Sequence, residues 1–204
     1  MHSTQEKILN AALKLFNEKG LAQVSQRTIA EELGISPGNL TYHFKKREDI
    51  IEALYHRLVD QINQGMTLPK VEEWTLGMLS QVLTGTLQLL YTYRFFMIDF
   101  VQIMRANKTI KSHFAELSQQ RQQQFLAVID DLIQTGRMRS PDLPNEYQNL
   151  YQRFQIFGDF WVASTVVQRR EVTENDVATY STMLLQSLYP YLTEKGKTEF
   201  SRLR

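Results

Sequence analysis

The amide, hydroxyl, imidazole and cationic side chains of Gln26, Arg27, Asn39, Thr41, Tyr42, His43, Lys45, Lys46 and Arg47 lie within one short stretch, VSQRTIAEELGISPGNLTYHFKKR (24–47). Such groups, set close together, can hydrogen-bond the base edges and phosphate oxygens of a duplex. Asn39 is the sharpest of them, because its carboxamide can pair bidentately with adenine in a major groove. Gln26 can donate to phosphate, and Gly38 allows close backbone approach. Arg27 stands at the first turn of a short helix, whose positive end also attracts phosphate. The elements that must position these groups are two short helices and a tight turn. Ala30, four residues before Gly34, leaves room for a neighbouring helix. Gly34 supplies the left-handed conformation that stops the first helix. Ile35 plugs the turn, Ser36 caps the next helix, and Pro37 fits its first position, where no N–H is needed. Leu40 and Phe44 share the inner face, which leaves Gly38, Asn39, Thr41, Tyr42 and His43 on or beside the outer one. This is a helix-turn-helix of a size to enter a major groove, although the same turn chemistry fits an ordinary helical hairpin equally well.

The flanking sequence distinguishes the two. IAEELGISPGNLTYHFKKREDIIEAL resembles the DNA-binding domain of the TetR/AcrR family of transcriptional regulators. The resemblance is carried by Thr28-Ile29-Ala30, Leu33-Gly34-Ile35-Ser36, Leu40, Tyr42-His43-Phe44-Lys45 and the Ile50/Leu54 pair. With the leading helix ILNAALKLFNEKG it covers roughly the first 55 to 60 residues. It implies a base or phosphate contact for Arg27, phosphate contacts for Tyr42 and His43, and a phosphate clamp at Lys45, Lys46 and Arg47. Two positions depart from the family pattern. Thr41 stands where a tyrosine is common, and Lys46 where a small polar cap is frequent. The family's operator preferences therefore do not carry over.

Composition narrows the classes. The 204 residues carry 23 Lys plus Arg against 22 Asp plus Glu, so global charge gives no argument for nucleic acid. Locally, Arg27, Lys45, Lys46 and Arg47 outweigh Glu31 and Glu32, a balance suited to a dimeric reader with few phosphate contacts per subunit. With no cysteine there is no disulfide framework, thiolate metal site or thiol redox chemistry. The start, MHSTQEKILN, lacks the layout of a signal peptide. The apolar run LQLLYTYRFFMIDFVQIM contains Arg94 and Asp99 and is no membrane span, so a cytoplasmic protein is expected. His2, His43, His56 and His113 have no metal-ligand spacing, and no phosphate loop or nucleophile motif appears. Neither a metal, a cofactor nor an enzymatic activity is expected.

Nearly every segment reads as helix, giving an all-α fold of about nine helices. Ser3 and Glu6 form a capping box for the first, which Gly20 ends. The predicted division is a three-helix DNA-binding domain at 1–47, a connecting helix at about 47–64, and a larger helical effector-binding and dimerisation domain at 66–204. Thr67–Pro69 is a linker-like break. Further helices are predicted near 74–91, 95–105, 108–134, 145–170 and 174–192, with RMRSPDLPN (137–145) as the clearest loop.

The larger domain is expected to dimerise, because one helix-turn-helix covers too few base pairs to be specific. Its last two helices are the predicted interface, through Tyr147, Phe154, Gly158, Tyr180, Leu184, Leu188 and Tyr191. It is also expected to hold an unknown apolar, aromatic or cationic effector, with Tyr91, Phe96, Asp99, Phe100, His113, Phe157 and Trp161 as lining. Asp99 and Asp159 sit in aromatic runs and need partners, for which Arg94, Arg105 and Arg153 are the internal candidates. The resulting reading is a ligand-responsive repressor that binds a palindromic double-stranded operator as a homodimer. A small-molecule-binding or interaction module with a vestigial head is the alternative.

Overall fold

The computed structural model describes residues 3–66, 73–169 and 171–203. Eleven α-helices lie among them: α1 (Thr4–Lys19), α2 (Gln26–Leu33), α3 (Pro37–His43), α4 (Arg47–Met66), α5 (Leu76–Thr92), α6 (Arg94–Ile98), α7 (Phe100–Ala106), α8 (Lys108–Gln134), α9 (Glu146–Arg169), α10 (Glu174–Gln186) and α11 (Glu194–Ser201). The described residues contain no strand, only a single antiparallel bridge between Met138 and Leu192. The all-α expectation is met, and the count rises from about nine to eleven for identifiable reasons. The predicted break at Thr67–Pro69 lies outside the described residues.

The first added helix comes from the region predicted as one helix near 95–105, which is divided at Asp99 between α6 and α7. The Asp99 carboxylate lies against the N–H of Leu21, a neighbour far away in sequence. Local periodicity carries no trace of that contact. The second follows from Pro190. Its ring excludes the carbonyl four residues earlier from a continuing helix, and α10 ends at that residue, Gln186, rather than near Leu192. A 3₁₀ turn at Tyr189–Tyr191 reverses the chain, and α11 begins behind the Thr193 side chain, which accepts the Gly196 N–H at 3.2 Å. Gly196 is obligatory there, since a Cβ would lie 2.1 Å from the Arg137 carbonyl oxygen.

Helices α1 to α3 and the first half of α4 surround one apolar centre of Ile8, Ala12, Leu15, Phe16, Ile29, Leu40, Ile50 and Leu54, all essentially inaccessible. Each of the large side chains among them contributes about 1.5–3 kcal/mol relative to exposure. Helices α5 to α11 form the body, packed on Leu76, Leu87, Phe95, Ile110, Leu132, Trp161 and Leu188. The two parts form one continuous apolar core, joined through α4 and through Phe16 of α1, whose ring lies 5.0 Å from that of Phe95 on α6.

Candidate nucleic-acid interface and the body behind it

The turn between α2 and α3 follows its local chemistry closely. Ser25 caps α2 by accepting the Thr28 N–H at 3.2 Å. Gly34 takes φ 64°, ψ 28°, and the Ile35 N–H returns to the Ala30 carbonyl at 3.1 Å. Ser36 accepts the Asn39 N–H at 3.2 Å, and Pro37 opens α3. Leu40 and Phe44 are buried. In consequence Pro37, Gly38, Asn39, Thr41 and Tyr42 form a contiguous exposed face, with Tyr42 86% exposed. His43 is half-buried, its ring edge-on to Tyr42 at 5.2 Å between centroids. Lys45 and Lys46 follow on the exposed connection to α4. The poor cap at Lys46 is remedied from the other side, because the Lys46 N–H donates to Asp49 Oδ2 at 3.1 Å.

Two of the predicted contact residues point inward instead. Gln26 Nε2 donates to the Phe44 carbonyl at 2.7 Å, closing the end of α3. Arg47 Nη1 donates to the carbonyls of Leu21 and Val24 at 3.0 and 3.2 Å, tying the start of α4 to the α1–α2 connection. A buried or half-buried carbonyl at a helix end needs a donor, and these side chains supply it. Both residues therefore hold the reading surface together rather than extend it. Arg27 is exposed and paired with Glu31 at 2.8 Å, an i,i+4 surface pair that a phosphate could displace. Thr41 is exposed and donates its hydroxyl to the Pro37 carbonyl at 2.9 Å.

The predicted effector lining separates into three places. Phe96, Phe100 and His113 come together: Phe96 stacks on Tyr55 at 5.5 Å, Phe100 meets Phe114 and Phe160 at 5.1 and 5.9 Å, and the Tyr55 hydroxyl lies 2.8 Å from His113 Nδ1. Tyr55 had no signal in the sequence beyond an apolar helix position. Phe157 and Trp161 instead pack on Tyr180, at 5.5 and 5.0 Å. Tyr91 lies under the Arg94 guanidinium, 5.1 Å from it. Asp99 and Phe100 border an open groove of about 770 Å³ between α6–α7 and α9, with Ile98, Val101, Phe160 and Ala163 as its apolar walls.

The two acids differ from each other. Asp99 lies against the Leu21 N–H rather than an arginine, and burial raises its pKa while that N–H opposes the rise. Arg153, one of the proposed partners, donates to the Tyr191 hydroxyl at 2.8 Å. Asp159, on α9, is pushed up to about 7 by burial. Elsewhere among the described residues, the buried polar atoms Trp161 Nε1 and Ser181 Oγ have no hydrogen-bond partner.

Of the predicted dimer residues, Tyr147, Phe154, Gly158, Tyr180 and Leu184 are on α9 and α10 as expected, while Leu188 and Tyr191 lie in the turn after α10, and most face the protomer's interior. Tyr147, Phe154, Leu184, Leu188 and Tyr191 are buried inside the protomer, and Gly158 and Tyr180 are half-buried. The exposed apolar side chains of α9 and α10 are Ile156, Phe160, Val167 and Met183, of which the first three recur at helical spacing. Because α9 is apolar nearly all round, its sequence gave no phase. Among the described residues no helix is long and apolar enough to cross a membrane, and no group of three His, Cys, Asp or Glu could hold a metal ion.

Two family models match the chain. One, described as "Bacterial regulatory proteins, tetR family", covers residues 8–54, and one described as "Bacterial transcriptional repressor" of the TetR type covers residues 57–200. The HTH-type transcriptional regulator UidR of Escherichia coli (strain K12) is 41% identical over 51 residues, 25% of this chain and 26% of that protein. An HTH-type regulator of Staphylococcus aureus (strain USA300) is 39% identical over 56 residues, 28% of this chain and 30% of that protein. The chain thus matches only about a quarter to a third of the length of these curated relatives. Among solved structures, a TetR-family regulator from Marinobacter aquaeolei VT8 superposes with a TM-score of 0.89 at 23% identity, over 99% of this chain and 97% of that one. The ketosteroid regulator KstR2 of Mycobacterium tuberculosis does so with 0.64 at 18% identity, over 95% and 97%. At these identities the structures speak for the fold.

Proposed function

The chain belongs to the TetR family of bacterial transcriptional regulators, and from that premise we propose that it is a ligand-responsive repressor gripping a palindromic operator as a homodimer. The observation that carries this reading is the outer face of α3, polar and exposed on a helix that Ser36 caps at its start and Gln26 closes at its end. Asn39 reads a base edge, with Gly38 and Pro37 bringing the backbone close. Thr41 offers its methyl group to thymine. Tyr42, His43, Lys45, Lys46 and Arg27 hold phosphates. Gln26 and Arg47 act one step behind, by fixing the ends of α3 and α4.

The second protomer packs on Ile156, Phe160, Val167 and Met183 of α9 and α10 and places two heads about 34–36 Å apart, one duplex turn. An apolar effector with an aromatic or cationic part binds in the body. Asp159 is its natural polar partner, being a half-buried carboxylate whose pKa burial raises. Binding is transmitted along α4, which touches the body through Glu52–Asn107 at 3.1 Å, Tyr55–His113 at 2.8 Å and Arg57–Tyr93 at 2.8 Å. A tilt of α4 changes head spacing and lowers operator affinity by a coupling of typically ~1–3 kcal/mol.

The decisive experiment is footprinting on the DNA upstream of the protein's own gene, with and without candidate apolar or cationic ligands. A protected pair of half-sites, lost steeply with salt and with ligand, is the expected result. No protected region at low salt would sink the repressor reading.

A further inference from the structure

We infer that Asn17 fixes the angle at which the reading head sits on the body, which makes it a positioning residue for DNA recognition acting through α6 rather than α4. The inference rests on the reading of α3 as a DNA-binding helix. Asn17 lies on α1, and its one amide spans the corner between two helices of the body. Its Nδ2 donates to the Thr92 carbonyl at 2.8 Å, while its Oδ1 accepts the Phe95 N–H at 3.0 Å. Thr92 ends α5 and Phe95 lies in the first turn of α6, where backbone groups lack intrahelical partners. A carboxamide suits the place because it brings one donor and one acceptor on a single carbon, and only one amide orientation satisfies both groups.

The same corner is gripped twice more. Phe16 of α1 packs its ring 5.0 Å from that of Phe95. Arg57 of α4 donates to the Tyr93 hydroxyl at 2.8 Å and to Asn10 Oδ1 of α1 at 2.7 Å. At the far end of α6, the Asp99 carboxylate lies against the Leu21 N–H of the head. The five-residue α6 is therefore pinned to the head at its N-terminal end and meets it again at Asp99, and it has no side-chain N-cap of its own. A small cavity of about 60 Å³, bordered by Leu21, Ile51, Gln102 and Ile103, separates α7 from α4 next to this contact. Helices α6 and α7 also wall the open groove against Phe160 of α9. A displacement of that wall thus reaches α1 directly, by a route that bypasses α4.

The test uses the full chain and a duplex selected by the wild-type protein from a random-sequence pool. Asn17→Ala should lose about 5- to 150-fold in affinity for the selected duplex, the usual span of coupling between sites, with binding to unrelated duplex unchanged. Asn17→Asp still accepts from Phe95 but cannot donate to Thr92, so it should fall between the two. Equal affinity of all three proteins for the selected duplex would overturn the clamp alone, whereas a wild-type chain that selects no duplex would overturn the DNA reading and the clamp together. Parallel loss of specific and non-specific binding, tracking a lowered melting temperature, would also overturn it, because that is the signature of a merely structural residue. Should Asn17→Ala not fold, hydrogen exchange on the wild type decides. The amides of Phe95 and Leu21 should exchange more slowly once the selected duplex is bound, and unchanged exchange would overturn the inference.

Discussion

The α2–α3 reading unit and the α6–α7 pair are both short helices joined at a bend, yet they close their ends by opposite means. In α2–α3 the caps come from the adjoining chain: Ser25 serves Thr28, Ser36 serves Asn39, and Gly34 makes the turn. In α6–α7 neither helix has a side-chain N-cap, and the groups that hold the bend arrive from α1 and the residue after Gly20. A unit closed by its own sequence keeps its shape when it moves, which suits a surface that must match a fixed groove. A bend held from outside can be repositioned by whatever moves its holders, which suits a transmitter. The difference is one of contact range, since both units are otherwise well packed.

The largest expected effect breaks the self-contained side. Leu40→Ala empties the centre of the head and should cost about 2–5 kcal/mol, read as a lower denaturation midpoint with loss of duplex binding. A cost below about 1 kcal/mol would mean that α3 owes its shape to caps alone.

On the body side, Asp159→Asn should stabilise. The folded carboxyl sits at about 7, above its ordinary 3.8, so the folded chain holds the proton more tightly than the unfolded one. Wild-type stability then declines as pH rises from about 4 to about 7 and is level above that. Calorimetry at pH 8 should find the asparagine variant about 1–3 kcal/mol more stable, after allowance for the solvated edge of the site. An unchanged pH profile would show that Asp159 is more solvated than its burial implies.

Within the head, Asn39→Ala should cost about 1–3 kcal/mol of discrimination at one base pair, measured with single-base operator variants. A uniform loss over all variants would reassign Asn39 to the phosphates. The smallest contrast separates positioning from contact. Lys45→Ala should lower the slope of log affinity against log salt by about one. Arg47→Ala should leave that slope unchanged and instead lower stability by about 1 kcal/mol per hydrogen bond lost. If Arg47→Ala changes the slope like Lys45→Ala, its side chain leaves the Leu21 and Val24 carbonyls when DNA binds.

Much of the molecule was legible in advance where neighbours in sequence are neighbours in space. The caps at Ser3 and Ser36, the bounds of α8 and the outward face of α3 all follow from intervals of three or four residues. Gln26 and Arg47 looked like contact residues because amides and guanidinium groups beside a reading helix usually are. Their acceptors, Phe44 and Leu21, lie 18 and 26 residues away and could not be paired without the fold. The facing of α9 was equally invisible, because apolar residues on all sides fit any rotation of the helix.

The sequence by itself determined the shape of the reading unit, since glycine, serine and proline at fixed intervals impose backbone angles and caps within one or two turns. Only the tertiary structure decided which polar groups remain available to a partner. Availability depends on which orphaned carbonyls and N–H groups the distant chain brings nearby, and a donor that meets one of them inside the protein is no longer offered outside it.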